Sequence, residues 1–492
     1  MRENKKPAAL IAIIMIMTIA AMMSGCGRLS GGNSGFSVDG NLMKGAEAKP
    51  PLSSEEIQEG LANGMGDRYC DFAVELFKVS ALGTKATAPE NSLVSPLSVI
   101  YAMGMVANGA EAESRRELVD VLVTGHHEQS GEVEGADAGG EVEGIDAGGE
   151  VEGTDAGGEV EGAGYDELQE KLNVYLRAYN NRIRERYDYE KEMLELYTDR
   201  KIKPTELRIA NSIWMKKDPE LVVVPDFIDT NATYYEAGLA EIEFNSKAKD
   251  KINKWIEERT GGTIKDMLKE VSESAIMYLV NALAFEGTWL ETYTQEQVHE
   301  GTFHGEKGDS EVECMYSEEA VYLHDENTTG LIKAYQGNSY AFVALLPDEG
   351  FTMDEYIASL TGEKIKNLLD TQEYCTVNAM IPKYEAESTL SLVEAFKSMG
   401  VEESFDLNKA NFSRLGSYKD QNIFIGNILH NTYIKVDELG TKAGAATIVE
   451  MLAEGAMVDE EPKNVYLDRP FVYMLIDTEE KMPLFIGVIR DI

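Results

Sequence analysis

The segment Lys435-Val-Asp-Glu-Leu-Gly-Thr-Lys-Ala-Gly-Ala-Ala-Thr-Ile-Val-Glu-Met-Leu-Ala-Glu-Gly-Ala-Met-Val-Asp-Glu-Glu-Pro-Lys-Asn-Val-Tyr-Leu-Asp-Arg-Pro470 carries two patterns that do not belong to one state. Residues 443–459 are rich in small and apolar side chains, yet they end in Asp459-Glu460-Glu461-Pro462, an acidic turn of the kind an exposed loop carries. Read with the period of a strand, Thr441, Ala443, Ala445, Thr447, Val449 and Met451 share one face, and Lys442, Gly444, Ala446, Ile448 and Glu450 the other. The first face is small and uncharged throughout. A segment exposed in one state and buried as a central strand in another needs this compromise, because a charge on the inner face would have to be desolvated.

Four further stretches keep company with it. Asn91-Ser-Leu-Val-Ser-Pro-Leu-Ser-Val-Ile-Tyr-Ala-Met-Gly-Met-Val-Ala-Asn-Gly-Ala110 reads as a strand entering a helix, with Ser95 a natural cap before Pro96. Leu279-Val-Asn-Ala-Leu-Ala-Phe-Glu-Gly-Thr-Trp289, Arg469-Pro-Phe-Val-Tyr-Met-Leu-Ile476 and Pro483-Leu-Phe-Ile-Gly-Val-Ile489 read as strands. Taken in order over residues 54–492, these motifs and the hinge Glu438 to Thr447 resemble the serpins, and the small hinge residues resemble the inhibitory members of that family.

The resemblance implies an α+β fold of three β-sheets, about eight or nine helices and an exposed reactive-centre loop. Its hinge would comprise Glu438, Gly440, Thr441, Ala443, Ala445, Ala446 and Thr447. Residues matching Ser95, Ser98, Asn281 and His430 would form a hydrogen-bonded shutter beneath the central sheet. Trp289 and Lys383 would mark the breach through which the loop enters, with Lys383 pairing Glu438. Family spacing places the bait bond at Glu454-Gly455, with Ala453, Gly455, Met457, Leu452 and Met451 as alternatives. Ala284 and Glu286 depart from the second motif's usual aromatic and lysine. The implied activity is inhibition of a serine-type endopeptidase as a suicide substrate. The loop would be cut, would insert into the central sheet in a parallel position, and would trap the protease in a covalent 1:1 acyl-enzyme. A glutamate-preferring, subtilisin-like or elastase-like protease would be the partner, and a monomer is expected. The alternatives are a non-inhibitory serpin that binds a partner, and a surface adhesin or cation-binding lipoprotein that uses its acidic repeats.

Arg2, Lys5 and Lys6 precede the apolar run Ala8 to Met23, the order of a bacterial export signal. These sixteen residues reach about 24 Å as a helix, short of a hydrocarbon core of about 30 Å, so a permanent span is the weaker reading. Met23-Ser24-Gly25-Cys26 resembles a lipobox, which implies lipidation of Cys26, a signal peptide over 1–26 and a membrane anchor on the outside of the cell or in a periplasm. An ordinary signal peptide with an incidental cysteine is the alternative. Residues 27–53 read as a flexible tether, rich in glycine, serine and proline.

Within 126–164 the unit Glu-Val-Glu-Gly-Xaa-Asp-Ala-Gly-Gly occurs three times from Glu132, with a truncated fourth copy. Almost without large apolar residues, it cannot bury a core and reads as a tolerated insert. Tyr165 to Tyr197 resumes as a long charged helix, and Lys251 to Leu268 resembles the serpin helix across the front of the central sheet.

The chain carries 45 basic and 87 acidic residues, a net charge of −42, which repels nucleic acid. Cys70, Cys314 and Cys375 lie far apart and suggest neither a zinc site nor a disulfide framework. No nucleophile elbow, phosphate loop or dinucleotide fingerprint is present. His299-Glu300 with His304 is one residue too long for a zinc-protease helix and lies in a strand pattern. No catalytic residue, metal or cofactor is therefore assigned.

Overall fold

The structure is a computed structural model and describes residues 50–83, 91–126, 159–197, 203–262, 264, 267–272, 275–419, 421–441 and 461–492. Helix α1 (Ser54–Leu61) opens with a capping box in which Ser53 and Glu56 exchange hydrogen bonds. Ile57, Leu61, Tyr69, Phe72, Ala73, Leu76 and Phe77 recur at helical spacing over 54–79, a pattern that predicts one helix, but the structure forms two. The chain breaks after Leu61 and restarts as α2 (Met65–Leu82), with Gly64 between them at φ +84, a geometry that glycine adopts freely. Strand β1 (Ser92–Val94) runs into α3 (Pro96–Ala107), where Ser95 caps and Pro96 takes the first helical position. Then come α4 (Ala112–Thr124) and the 39-residue α5 (Glu159–Tyr197). Helix α5 begins at Glu159 rather than Tyr165, inside the segment assigned to the insert.

The chain continues through β2 (Glu206–Lys216), β3 (Leu221–Val223), α6 (Pro225–Tyr234), β4 (Gly238–Ile242), α7 (Ala248–Arg259) and β5 (Met277–Thr288). Next are β6 (Val298–Gly305), β7 (Gly308–His324), β8 (Thr328–Ala334), β9 (Tyr340–Pro347), α8 (Met353–Ser359), α9 (Gly362–Asp370), β10 (Glu373–Pro382), β11 (Tyr384–Ser391) and α10 (Val393–Ser398). Strands β12 (Gly416–Tyr418), β13 (Leu429–Asp437), β14 (Gly440–Thr441), β15 (Lys463–Tyr466), β16 (Phe471–Asp477) and β17 (Met482–Ile489) follow. Ten α-helices thus lie among the described residues, against eight or nine expected, because α1 stands apart from α2 and short helices such as α10 have too few turns to show a period.

Three sheets result. The central sheet runs β11-β13-β14-β5-β2-β4. A larger one runs β1-β17-β16-β9-β8-β7-β10-β15, with β6 on β7, and β12 pairs β3. Every residue of β16 and β17 is buried, as expected of strands covered on both faces. The central sheet divides its side chains by parity. Leu207, Ile213, Leu283 and Phe285 join the main core, whereas Ala210, Trp214, Val280 and Ala282 join a second core under α7. There Trp214 meets Trp255 edge to face at 6.1 Å, and Ile256 is buried beside them. Gly261 and Gly262, at φ +62 and +80, follow the end of α7 in left-handed backbone that continues no helix.

Candidate functional site

The hinge lies where β13 ends. Asp437 Oδ1 accepts the Leu439 N–H at 3.0 Å and closes a tight turn, so the chain must come back along the strand it has just left. Thr441 pairs with Val436 of β13 on one side and Gly287 of β5 on the other, and Gly440 pairs with Asp437 and Thr288. Both pairings are antiparallel, which corrects the expectation of a parallel position: a strand that folds back through a turn runs against its parent. Among the described residues no ladder joins β5 directly to β13, and the two-residue β14 lies between them.

Gly440 is required here. It sits at φ +152, and a Cβ would come 2.0 Å from the Gly287 carbonyl oxygen. Thr441 is buried, and its hydroxyl shares a hydrogen bond with that of Tyr335. Trp289, fully buried, stacks on Tyr335 with ring centroids 4.5 Å apart and donates its indole N–H to the Asp437 carbonyl at 2.8 Å. Its backbone N–H donates to the Leu439 carbonyl at 3.0 Å.

Lys383 Nζ lies 2.9 Å from Glu438 and 3.1 Å from Glu313, so the contact anticipated between Lys383 and the hinge glutamate is present. The hydrogen bond from Lys383 holds the Glu438 carboxyl below its usual range. Burial would lower the Lys383 ammonium, but its two carboxylate partners outweigh that and raise it.

Beneath the sheet the four shutter residues meet. Ser95 donates its backbone N–H to His430 Nε2 at 3.0 Å and its hydroxyl to the Leu484 carbonyl at 2.9 Å. That hydroxyl also accepts the Ser98 N–H at 3.3 Å, so capping and bridging fall on one side chain. The Ser98 hydroxyl donates to Asn281, whose amide donates to Asn211 at 2.5 Å. The chain therefore ties α3 to β5, β2 and β13. Burial lowers His430 to about 4, which leaves its ring neutral at neutral pH and Nε2 free to accept.

Several assigned residues lie outside the described residues: Ala443, Ala445, Ala446, Thr447, the bait Glu454 and Gly455 with the alternatives Met451, Leu452, Ala453 and Met457, and Cys26. Conversely, Asn211, Tyr335 and Asp437 were not singled out. Asn211 had a signal, since it interrupts the apolar alternation Leu207, Ile209, Ile213, just as Asn281 interrupts Leu279, Leu283, Phe285. Tyr335 follows the end of β8 and had none. Among the described residues Cys70, Cys314 and Cys375 are free thiols, and no acidic, histidine or cysteine cluster suited to a metal is found. His299 and His304 lie on β6, in a strand as read.

The central sheet thus holds the short β14 between β13 and β5, above the hydrogen-bonded cluster of Ser95, Ser98, Asn281 and His430. The family model described as serpin (serine protease inhibitor) matches residues 67–492, and the chain belongs to the serpin family. It is similar to the thermophilic serpin tengpin in its native state, with a TM-score of 0.70 at 33% identity, over 92% of this chain and 99% of that one. It is 28% identical over 288 residues to a serpin-like protein of Thermococcus kodakarensis, over 58% of this chain and 66% of that protein. To the leukocyte elastase inhibitor of Equus caballus it is 27% identical over 299 residues, 58% of this chain and 77% of that protein. The chain is accordingly of the serpin protease-inhibitor type.

Proposed function

We propose that this chain inhibits a serine-class protease as a suicide substrate. The observation that carries the reading is the strand order: Gly440 and Thr441 already occupy the position between β13 and β5, and the sequence that follows them reads as a strand with one small, uncharged face. The protease hydroxyl attacks the carbonyl of the bait residue. The peptide C–N bond breaks, the amine side leaves with the proton, and an ester joins the enzyme to the hinge side. That side then extends β14 downward, antiparallel to β5 and β13. About fifteen residues at roughly 3.3 Å each carry the attached protease on the order of 50 Å. A dozen ladder hydrogen bonds at about 1 kcal/mol net, with burial of the inner face, oppose the protease's own active-site geometry.

The bait bond is Glu454-Gly455 in this reading, which suits a glutamate-preferring protease. The partner forms a 1:1 covalent complex, and Cys26 carries a lipid that holds the inhibitor at a membrane. The test is a denaturing gel of the residue 54–492 protein with a glutamate-specific protease, a subtilisin, an elastase and a chymotrypsin, combined with mass spectrometry of the released C-terminal peptide. A boiling-resistant band near the summed mass is expected, with a peptide starting at Gly455. Cleavage by every enzyme without such a band points to the non-inhibitory reading instead. Labelling with a fatty-acid analogue, lost in Cys26→Ser, tests the anchor.

A further inference from the structure

Tyr335 lies under the hinge, stacked on Trp289. Its ring is fully buried and also meets Phe285 edge to face at 4.9 Å. Its backbone is pinned as firmly, forming an isolated bridge with Trp289 and donating its N–H to the Tyr340 carbonyl at 3.1 Å. A hydroxyl on so fixed a ring has a fixed position, and a buried hydroxyl needs a partner. That partner is Thr441 Oγ1, 2.5 Å away.

Two glycines make the approach possible. A Cβ on Gly287 would meet the Tyr335 and Phe285 rings at 2.8 Å, and one on Gly440 would strike the Gly287 carbonyl. Bare backbone at both positions lets β14 close onto β5 directly over the Tyr335 ring.

We infer that Tyr335 is a positioning residue for loop insertion: its hydroxyl holds Thr441 in the first inserted position of the uncleaved protein, so the new strand is nucleated before the bait bond is cut. Ordering the first residues of a strand costs conformational entropy before further ladder bonds offset it. With Gly440 and Thr441 already in place, insertion after cleavage starts beyond that step. The consequence rests on the trapping mechanism proposed above, since the acyl-enzyme divides between hydrolysis, which releases cleaved inhibitor, and insertion, which traps. The held hinge itself is a property of the free protein.

Tyr335→Phe keeps the ring and both aromatic contacts but leaves the Thr441 hydroxyl buried without its partner. The expected effect is roughly a five- to tenfold slowing of insertion, read as that rise in inhibitor molecules cleaved per protease trapped beyond the first. The experiment uses the residue 54–492 protein and its Tyr335→Phe, Thr441→Val, Thr441→Ser and Tyr335→Phe/Thr441→Val variants. Hydrogen exchange of peptides covering 436–441 is measured without protease, and the inhibition stoichiometry with it.

Faster exchange at 440–441 in Tyr335→Phe and Thr441→Val supports the inference, provided that β16 and β17 are unchanged. So do retention of the wild-type pattern in Thr441→Ser and a double variant no worse than either single one. Exchange at 440–441 in Tyr335→Phe as slow as in the wild type overturns it, as does faster exchange with an unchanged stoichiometry. Should the wild type trap no protease, the trapping reading fails, and the exchange comparison still decides whether Tyr335 holds the hinge.

Discussion

Replacing Thr441 by arginine puts a guanidinium where a small hydroxyl now sits against Tyr335. Thr441 is 2% exposed, and the stack beneath it, Tyr335 on Trp289, already has the Lys333 ammonium 5.6 Å from the Trp289 ring. That cation is neutralised by Glu319 at 2.6 Å. A second cation has no such partner prepared for it, and leaving a charge buried without one costs about 3–5 kcal/mol. The hinge therefore leaves the sheet rather than bury the arginine, and the barrier to insertion rises by that amount. At about 1.4 kcal/mol per factor of ten, insertion slows by roughly two to four powers of ten. Hydrolysis of the acyl-enzyme then wins. The assay is the number of inhibitor molecules consumed per protease silenced, together with the covalent band on a denaturing gel. Thr441→Arg is expected to be cleaved at the same bond as the wild type, with little or no band. Undiminished trapping would refute the argument that the inner face of the hinge must be uncharged.

Gly440→Ala is expected to act in the same direction through backbone geometry, since its Cβ lies on the Gly287 carbonyl; covalent complex falls, while cleavage of the loop persists. His430 titrates at about 4 when folded against 6.5 unfolded, so the unfolded chain binds the extra proton between these values. Its contribution to stability is full above pH 6.5 and falls as the pH drops to about 4, by up to about 3 kcal/mol. Thermal unfolding across this range should show a smaller loss for His430→Gln, whose amide oxygen still accepts from Ser95. Lys383→Met is expected to cost no more than about 1 kcal/mol, because both partners are partly exposed, and denaturant unfolding measures it. Deleting residues 132–162 is expected to leave the inhibition stoichiometry unchanged, which separates a tolerated insert from a functional repeat.

How far the site could be read in advance differed from residue to residue. Ser95, Ser98, Asn281 and His430 are implied by the serpin resemblance and do meet, because the start of α3 packs under β5 and β13. Asn211 belonged to the same chain of hydrogen bonds and announced itself only as a polar interruption of an apolar face. Tyr335 could not be found that way. It follows a strand end, outside any period, and touches Thr441 across more than a hundred residues of chain. The break at Gly64 and the early start of α5 were likewise hidden, since a helical pattern runs smoothly through a residue whose φ alone ends the helix.

By itself the sequence determined the local facts: which faces are apolar, where small uncharged residues alternate after Gly440, which serines can cap, and that the acidic repeats cannot build a core. These depend on residue type and spacing over a few turns or strands. Only the tertiary structure decided that β14 runs antiparallel between β13 and β5, that Thr441 is already enclosed, and that Tyr335 meets it. Those depend on elements far apart in the chain arriving side by side, and the hinge carries no periodic signal of how deep it rests in the sheet.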